Sequence, residues 1–392
     1  MDIRKKAENI KDYIIEMRRY FHQNPELSLE EFETTKKIIE ELNKMGIEVS
    51  TFKNGLTGCV GTIKGAKEGK TLLLRADIDA LSVLEKTNLE FASKVKGKMH
   101  ACGHDCHIAM LLGAAKILNE IKESFSGTIK LFFQPAEEIG MGAKLAIEQG
   151  VMDNVDACYG VHVTPRFDSS KINMQYGERM AATDVFKLTV EGVSSHGSSP
   201  HLGHDAIVAS GAIITGLQTI VSRINNPLKP AVVTIGTIKG GQRFNIIANE
   251  VIMEGNVRTF DENFRKEIEN YIREISESIA KAHGCSAKLE YRYGTGVVIN
   301  KDKNLVGIAQ NAVKKLYGEE TLVEMEKITG GEDFSLLMEK VPGIFGYIGT
   351  KNPNIPGSEK INHHECFTVD EEALIRGTAV ATQFTVDYLE GK

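Results

Sequence analysis

The chain has 392 residues, beyond the roughly 250 to 300 at which a single hydrophobic core stops growing, so two domains are expected. Its 42% hydrophobic and 26% charged residues are those of a globular protein, and a net charge of −6 with both signs interspersed leaves no footprint for nucleic acid. The opening Met1-Asp-Ile-Arg-Lys-Lys-Ala-Glu has no apolar signal core, and no stretch is read as approaching the roughly 20 apolar residues of a membrane span, so a cytoplasmic protein with no membrane partner is expected.

Ile3, Ala7, Ile10, Ile14, Met17 and Phe21 recur at helical spacing and predict one helix over 3–21, stopped by Asn24-Pro25. Ser28 with Glu31 three residues on has the capping-box pattern and predicts a second helix, ending near Gly46. Short apolar runs follow at Cys59 to Ile63, Thr71 to Leu74, Ile129 to Phe133 and Ala157 to Val163. They alternate with helical stretches at His107 to Ile121 and Met141 to Gln149. Strands without polar alternation, separated by helices, predict an α/β fold with a mostly parallel sheet flanked by helices.

From about Ala182 the pattern changes. Val185 to Glu191 alternates, Asp205 to Ile224 reads as a long helix, and Ala231 to Ile238 and Glu250 to Phe260 read as strands. Asp261 to His283 is an Asp-capped helix, and Ala287 to Tyr293 is a last strand. The order β-α-β-β-α-β is that of a ferredoxin-like unit. Helices near Asn304 to Leu316, Phe334 to Glu339 and Glu371 to Tyr388, with a strand at Ile344 to Ile348, then resume the first pattern. The expected organisation is a domain of 1–181 and 295–392 with an insert of 182–294.

Ligands of such sheets collect at the carboxyl ends of the strands. Asp77 follows Leu72-Leu73-Leu74, Glu137 and Glu138 follow Leu131-Phe132-Phe133, and His162 closes an apolar run, while Cys102 and His104 lie just before a helix. A thiolate, imidazoles and adjacent carboxylates on one edge are donors for divalent cations, because borderline metals take S, N and O ligands. Of the adjacent carboxylates one can bind metal while Glu137 serves as general base and acid.

Each motif alone has a plainer reading. Cys102-Gly-His104 would be a loop with a buried thiol, Glu137-Glu138 a solvated helix start, His162 a core histidine and His196 part of a polar turn. Cys102 and Cys106 as a redox pair would lack the C-x-x-C spacing. Six cysteines spread over 392 residues make no disulfide framework, and a reducing compartment would leave Cys102 free for metal. His22, His100, His107, His204 and His283 are assigned no role, and spacing alone leaves His363 and His364 undecided. The convergence of several signals on one sheet edge outweighs the separate plain readings and points to a metallohydrolase.

Leu74-Arg-Ala-Asp77-Ile-Asp-Ala-Leu81, Met99-His-Ala-Cys-Gly-His-Asp105, Phe133-Gln-Pro-Ala-Glu-Glu138, Gly160-Val-His162, Ser195-His-Gly-Ser-Ser-Pro-His201, Arg243-Phe-Asn-Ile246 and Gly330-Gly-Glu-Asp-Phe334 stand in the order of a known family. Over nearly its whole length the chain resembles the dinuclear metalloamidohydrolases. These include indole-acetyl-amino-acid hydrolases, hippurate hydrolases, N-acyl-amino-acid deacetylases, N-acetyldiaminopimelate deacetylase and thermostable carboxypeptidases.

The resemblance implies two divalent metal ions, zinc or manganese with cobalt or nickel as alternatives. It implies Cys102 as their bridging ligand, with His104, Glu138, His162 and a carboxyl-terminal histidine completing the set. The family's His-x-x-x-aromatic pattern selects His363 over His364, because Phe367 follows it. It further implies Glu137 as proton shuttle, Asp77 as the catalytic aspartate behind the metals, His196 as an oxyanion donor, and Asn245 and Arg258 as substrate-binding residues. Ser82, Ala248, Cys106 and Glu365 depart from the family pattern and bear on pocket shape. The expected reaction is hydrolysis of N-acyl amino acids, with short-peptide cleavage or non-catalytic metal binding as alternatives. A homodimer formed through the insert is compatible with the resemblance.

Overall fold

The structure, a computed structural model, describes residues Met1–Gly391. The chain forms two compact units, one built from Met1–Gly177, Ile299–Glu326 and the segment from Asp333 onward, the other from Glu178–Val298 and Lys327–Glu332.

The larger unit starts with helices α1 (Ile3–Asn9), α2 (Lys11–Gln23) and α3 (Phe32–Lys44) and strands β1 (Glu48–Thr51), β2 (Cys59–Lys64) and β3 (Thr71–Asp77). Helix α4 (His104–Glu120), β4 (Thr128–Gln134), α5 (Gly142–Glu148), β5 (Ala157–Asp168) and β6 (Ile172–Asn173) follow. Beyond β7 (Gly177–Met180) the smaller unit runs β8 (Ala182–Glu191), α6 (Ala206–Thr219), β9 (Ala231–Gly240), β10 (Glu250–Thr259), α7 (Glu262–Ala282) and β11 (Ser286–Tyr293). After β12 (Val298–Asn300) come α8 (Lys303–Tyr317), α9 (Phe334–Met338), β13 (Gly343–Lys351) and α10 (Glu372–Leu389).

The large sheet has the order β1-β2-β4-β3-β5-β13-β6. Its four central strands β4, β3, β5 and β13 are mutually parallel, and the outer strands are antiparallel. Leu72, Leu73 and Leu74 of β3 and Leu131, Phe132 and Phe133 of β4 are all buried, as expected of strands covered on both faces. Helix α4 is apolar around its circumference and packs against β3, α2 and α10, so it too is buried. Register decides where the chemistry falls. Asp77 pairs with Gln134 across β3 and β4, and Arg75 with Gly160 across β3 and β5, so the carboxyl ends of all three strands meet at one edge.

The smaller unit has the antiparallel order β11-β8-β10-β9, the ferredoxin-like arrangement that its element order implies. Phe186, Leu188 and Val190 alternate inward from β8 and meet Ala209, Ile213 and Leu217 of α6 and Ile268 and Ile272 of α7. Asp205 and Asp261 cap these helices, each accepting from two backbone N–H groups. The Asp184–Arg265 ion pair is buried in this unit. Asp184 accepts from Arg265 at 2.6 Å, from the Tyr291 hydroxyl at 2.8 Å and from Gly294 N at 3.0 Å.

Three expectations are corrected. The single helix over 3–21 is two, because Ile10 leaves helical dihedrals at φ −108° and ψ 17° with no proline or glycine to announce it. The capping box at Ser28 is absent. Helix α3 begins at Phe32, the Ser28 hydroxyl goes to Asp79, and the Glu31 carboxylate is taken by Thr57 and Ala136. Finally, Ala206–Ile224, which ends in a π-helical turn, is long and apolar enough by composition to cross a membrane. One of its faces instead lies on the sheet of the smaller unit, through Ala206, Ala209, Ile213, Leu217 and Ile220.

Removing one partner of a buried ion pair strands the other charge, at a cost of about 3–5 kcal/mol. Asp184→Ala is therefore expected to lower the urea midpoint of the full chain by a loss of that order, and a wild-type midpoint would show that the pair carries no stability.

Candidate metal centre

A fully buried ionic network lies beneath the carboxyl edge of the large sheet. Arg75, on β3, donates to Asp77 at 2.8 Å, to Gln134 at 2.9 Å and to Asp333 at 3.2 Å. Asp333 also accepts from Gln134 at 2.6 Å and from Ala143 N at 3.0 Å. The second oxygen of Asp77 is 2.5 Å from His107 Nδ1. Burial opposes the Asp77 charge, but Arg75, His104 and His107 together hold its pKa well below the usual carboxylate range.

Above this network the expected ligands converge. Cys102 Sγ lies 3.3 Å from His162 Nε2. The ligand atoms of Cys102, His104 and His162 lie within 4.8 Å of one another, as do those of Cys102, Glu138 and His363 and those of His104, Glu137 and Glu138. Backbone geometry sets the first pair. Gly103 at φ +92° turns the chain into α4, and a Cβ there would meet Val163 Cγ2 at 2.4 Å. The loop bearing His363 is tied to the same turn, through His363 N to Ala101 O at 2.7 Å and Asn362 Nδ2 to Cys102 O at 2.9 Å. His364 instead accepts the Cys366 N–H at 2.9 Å, so of the two histidines His363 faces Glu138, at 3.5 Å.

Hydrogen bonds fix which nitrogen each imidazole offers. His104 Nδ1 faces the Asp79 carbonyl at 2.8 Å, and His162 Nδ1 the Val163 carbonyl at 2.7 Å, leaving both Nε2 atoms directed at the cluster. His104 Nε2 and Glu138 Oε1 are buried without a hydrogen-bond partner among the described residues. The electrostatics point the same way. Burial works against a His104 cation, yet Asp77 and Asp79 outweigh it and raise its pKa to about 10. Burial and the carboxylates of Glu138, Glu137 and Asp77 push the Cys102 thiol well up, and burial pushes Glu138 up. Burial lowers the pKa of His162 to about 3, so its ring is neutral. Taking the protons off this thiol and imidazole would leave the cluster short of positive charge, and a divalent cation fits the donor set.

Two carboxylates that the sequence reading passed over hold the glutamate turn. Asp79 accepts from Glu138 N at 3.0 Å and from Ser28 at 2.6 Å. Glu31, buried and pushed up to about 7 by that burial, accepts Ala136 N at 2.8 Å, where Ala136 takes a left-handed φ of 53°. Glu31 belongs to the expected capping box and Asp79 to the Leu74–Leu81 motif, but their partners are distant in sequence. A charged Arg75 inside an apolar strand was the available signal for the lower network.

The remaining expected residues lie in the smaller unit. His196 is bridged to Ile246, and Gly197 N donates to Asn245 O at 2.8 Å, so His196 and Asn245 share one short ladder. Asn245 Oδ1 is buried and has no partner among the described residues. Arg258 is half-buried on β10, and burial lowers its pKa.

The parallel-centred sheet and the cation-demanding cluster at its edge define a metal-dependent amidohydrolase. The chain belongs to the peptidase family M20/M25/M40, whose sequence model matches residues 73–387. It is 42% identical over 384 residues to thermostable carboxypeptidase 2 of Saccharolobus solfataricus, covering 96% of each chain. It is 40% identical over 377 residues to N-acetylcysteine deacetylase of Bacillus subtilis, covering 96% of this chain and 97% of the relative. The solved structure of a dinuclear metal-binding peptidase of the M20 family from Bacillus subtilis superposes with a TM-score of 0.86 at 38% identity, covering 98% of this chain and 99% of that one.

A cation bound through Cys102 and His104 would displace protons from both, because their pKa values are raised. Affinity for Zn²⁺ is accordingly expected to fall as the pH is lowered, and Cys102→Ala to reduce bound metal measured by elemental analysis. A pH-independent affinity would contradict the assignment.

Proposed function

We propose that the chain hydrolyses N-acyl amino acids, with an acetyl, benzoyl or similar acyl group, to a carboxylate and a free amino acid. The observation carrying this reading is the position of Glu137, whose carboxylate lies within 4.8 Å of ligand atoms of His104 and Glu138. Cys102, His104, Glu138, His162 and His363 would hold two divalent cations, zinc or manganese, with cobalt or nickel suited to the same donors. When bound, such cations polarise an amide carbonyl and lower the pKa of water.

Glu137 takes the proton of the attacking water and delivers it to the amide nitrogen, which leaves poorly until protonated. Asp77, 3.4 Å from His104 Nε2, supplies negative charge behind the ligands. His196 donates to the developing oxyanion, and Asn245 and Arg258 hold the carboxylate of the amino acid. One relative is named for deacetylating N-acetylcysteine and another as a carboxypeptidase, and both names describe cleavage of an amide bond beside an amino acid. That shared chemistry supports the substrate class.

We assign 1–181 and 295–392 to catalysis and 182–294 to substrate cover and dimerisation. Helix α6 exposes Ile207 and Val208, and the edge strand β9 exposes Val232 and Ile238, an apolar surface that a second copy would cover. The six free cysteines suit a reducing compartment such as the cytoplasm.

Glu137→Gln is expected to lower kcat by about 10²–10⁴-fold with metal content unchanged, the range of general acid–base catalysis. Retained turnover would remove Glu137 from its role, and a panel of N-acetyl, N-benzoyl and dipeptide substrates separates deacylation from peptide cleavage. Val208→Glu is expected to give a monomer by light scattering. A dimer that survives it would place the interface elsewhere.

A further inference from the structure

His107 lies within the cluster, 4.7 Å ring to ring from His162 and stacked on His104 at 5.5 Å. Its own nitrogens are both engaged. The ladder between β3 and β5 runs from Leu72↔Ala157 to Arg75↔Gly160 and stops there, so beyond Gly160 strand β5 has no β3 partner. Val163 N–H, immediately after His162, donates to His107 Nε2 at 2.9 Å. An acceptor must carry its lone pair, so the proton of the neutral ring sits on Nδ1, which donates to Asp77 at 2.5 Å. The imidazole thus stands in for a missing strand partner, and its neighbours leave it no room to turn: Gly103 packs on Val163, and the ring is 2% exposed.

We propose that His107 is a positioning residue rather than a metal ligand: a neutral, Nδ1-protonated clamp that joins the Asp77 carboxylate to the backbone of His162 and so holds two walls of the metal centre in register. The inference rests on the reading of Cys102, His104, Glu138, His162 and His363 as ligands. It excludes His107 from coordination although its nitrogen, an Asp77 oxygen and a His104 nitrogen lie within 4.8 Å of one another. A partner that orients a ligand typically governs metal affinity by 10–100-fold.

The test uses the full chain with ¹⁵N-labelled histidine, His107→Gln assigning the resonances. The expected result is an unprotonated Nε2 and a protonated Nδ1, with and without Zn²⁺. A protonated Nε2, or a Zn²⁺ coordination shift at this ring, overturns the proposal. In parallel, His107→Ala should weaken Zn²⁺ binding about 10–100-fold. His107→Asn can keep the bond to Asp77 and His107→Gln the bond from Val163, so each should recover part of the affinity. Wild-type affinity in folded His107→Ala overturns the clamp. Should the alanine variant not fold, affinities of the Asn and Gln variants equal to wild type do the same. A wild-type protein that binds no Zn²⁺ would remove the metal reading, while the ring spectrum of the metal-free chain would still decide the tautomer.

Discussion

Burying a carboxylate is tolerable only where positive charge meets it, and this requirement organises the larger unit. Below the sheet edge the protein supplies that charge itself, since the Arg75 guanidinium is shared between Asp77 and Asp333 and ordered by Gln134. Above it the carboxylates of Asp77 and Asp79 favour a proton on the His104 ring. Cys102, Glu138 and the carboxylates facing His104 share a small volume, and they drive proton uptake onto the thiol and the imidazole. The same side chains that disfavour their own ionisation are the donors a divalent ion takes.

How much of this could be read from residues alone depends on how local each signal is. The parallel centre of the sheet followed from runs such as Leu72-Leu73-Leu74 and Leu131-Phe132-Phe133, which have no polar alternation, and the ferredoxin-like order from the alternation along β8 and the Asp caps of α6 and α7. The convergence of Cys102, His104, Glu138 and His162 was legible because the carboxyl ends of parallel strands share one edge. The capping box at Ser28 was misleading for the opposite reason. Its two side chains have the right spacing for a helix start, but Asp79, Thr57 and Ala136, all remote in sequence, claim them. His107 was dismissed because a histidine within an apolar helix is ordinarily a packed one. Only the early end of the β3–β5 ladder shows why an imidazole acceptor is needed there.

The two units answer different physical problems. The larger concentrates polar chemistry on an edge and must shield it with α4 and the loop that carries His363. The smaller is an ordinary two-layer fold that buries the Asp184–Arg265 pair, and it bears the short ladder of His196 and Asn245. Its helix α6 is more apolar than a one-sided helix requires, which leaves Ile207 and Val208 facing outward.

Gly103 has a consequence for inheritance. Its left-handed φ and the 2.4 Å approach of Val163 to any added Cβ mean that the spacing of Cys102 and His104 along the backbone is set by a residue with no side chain. Genetic drift can reshape the surrounding pocket, and with it what the enzyme prefers to cleave, while this one codon is left almost no alternative meaning.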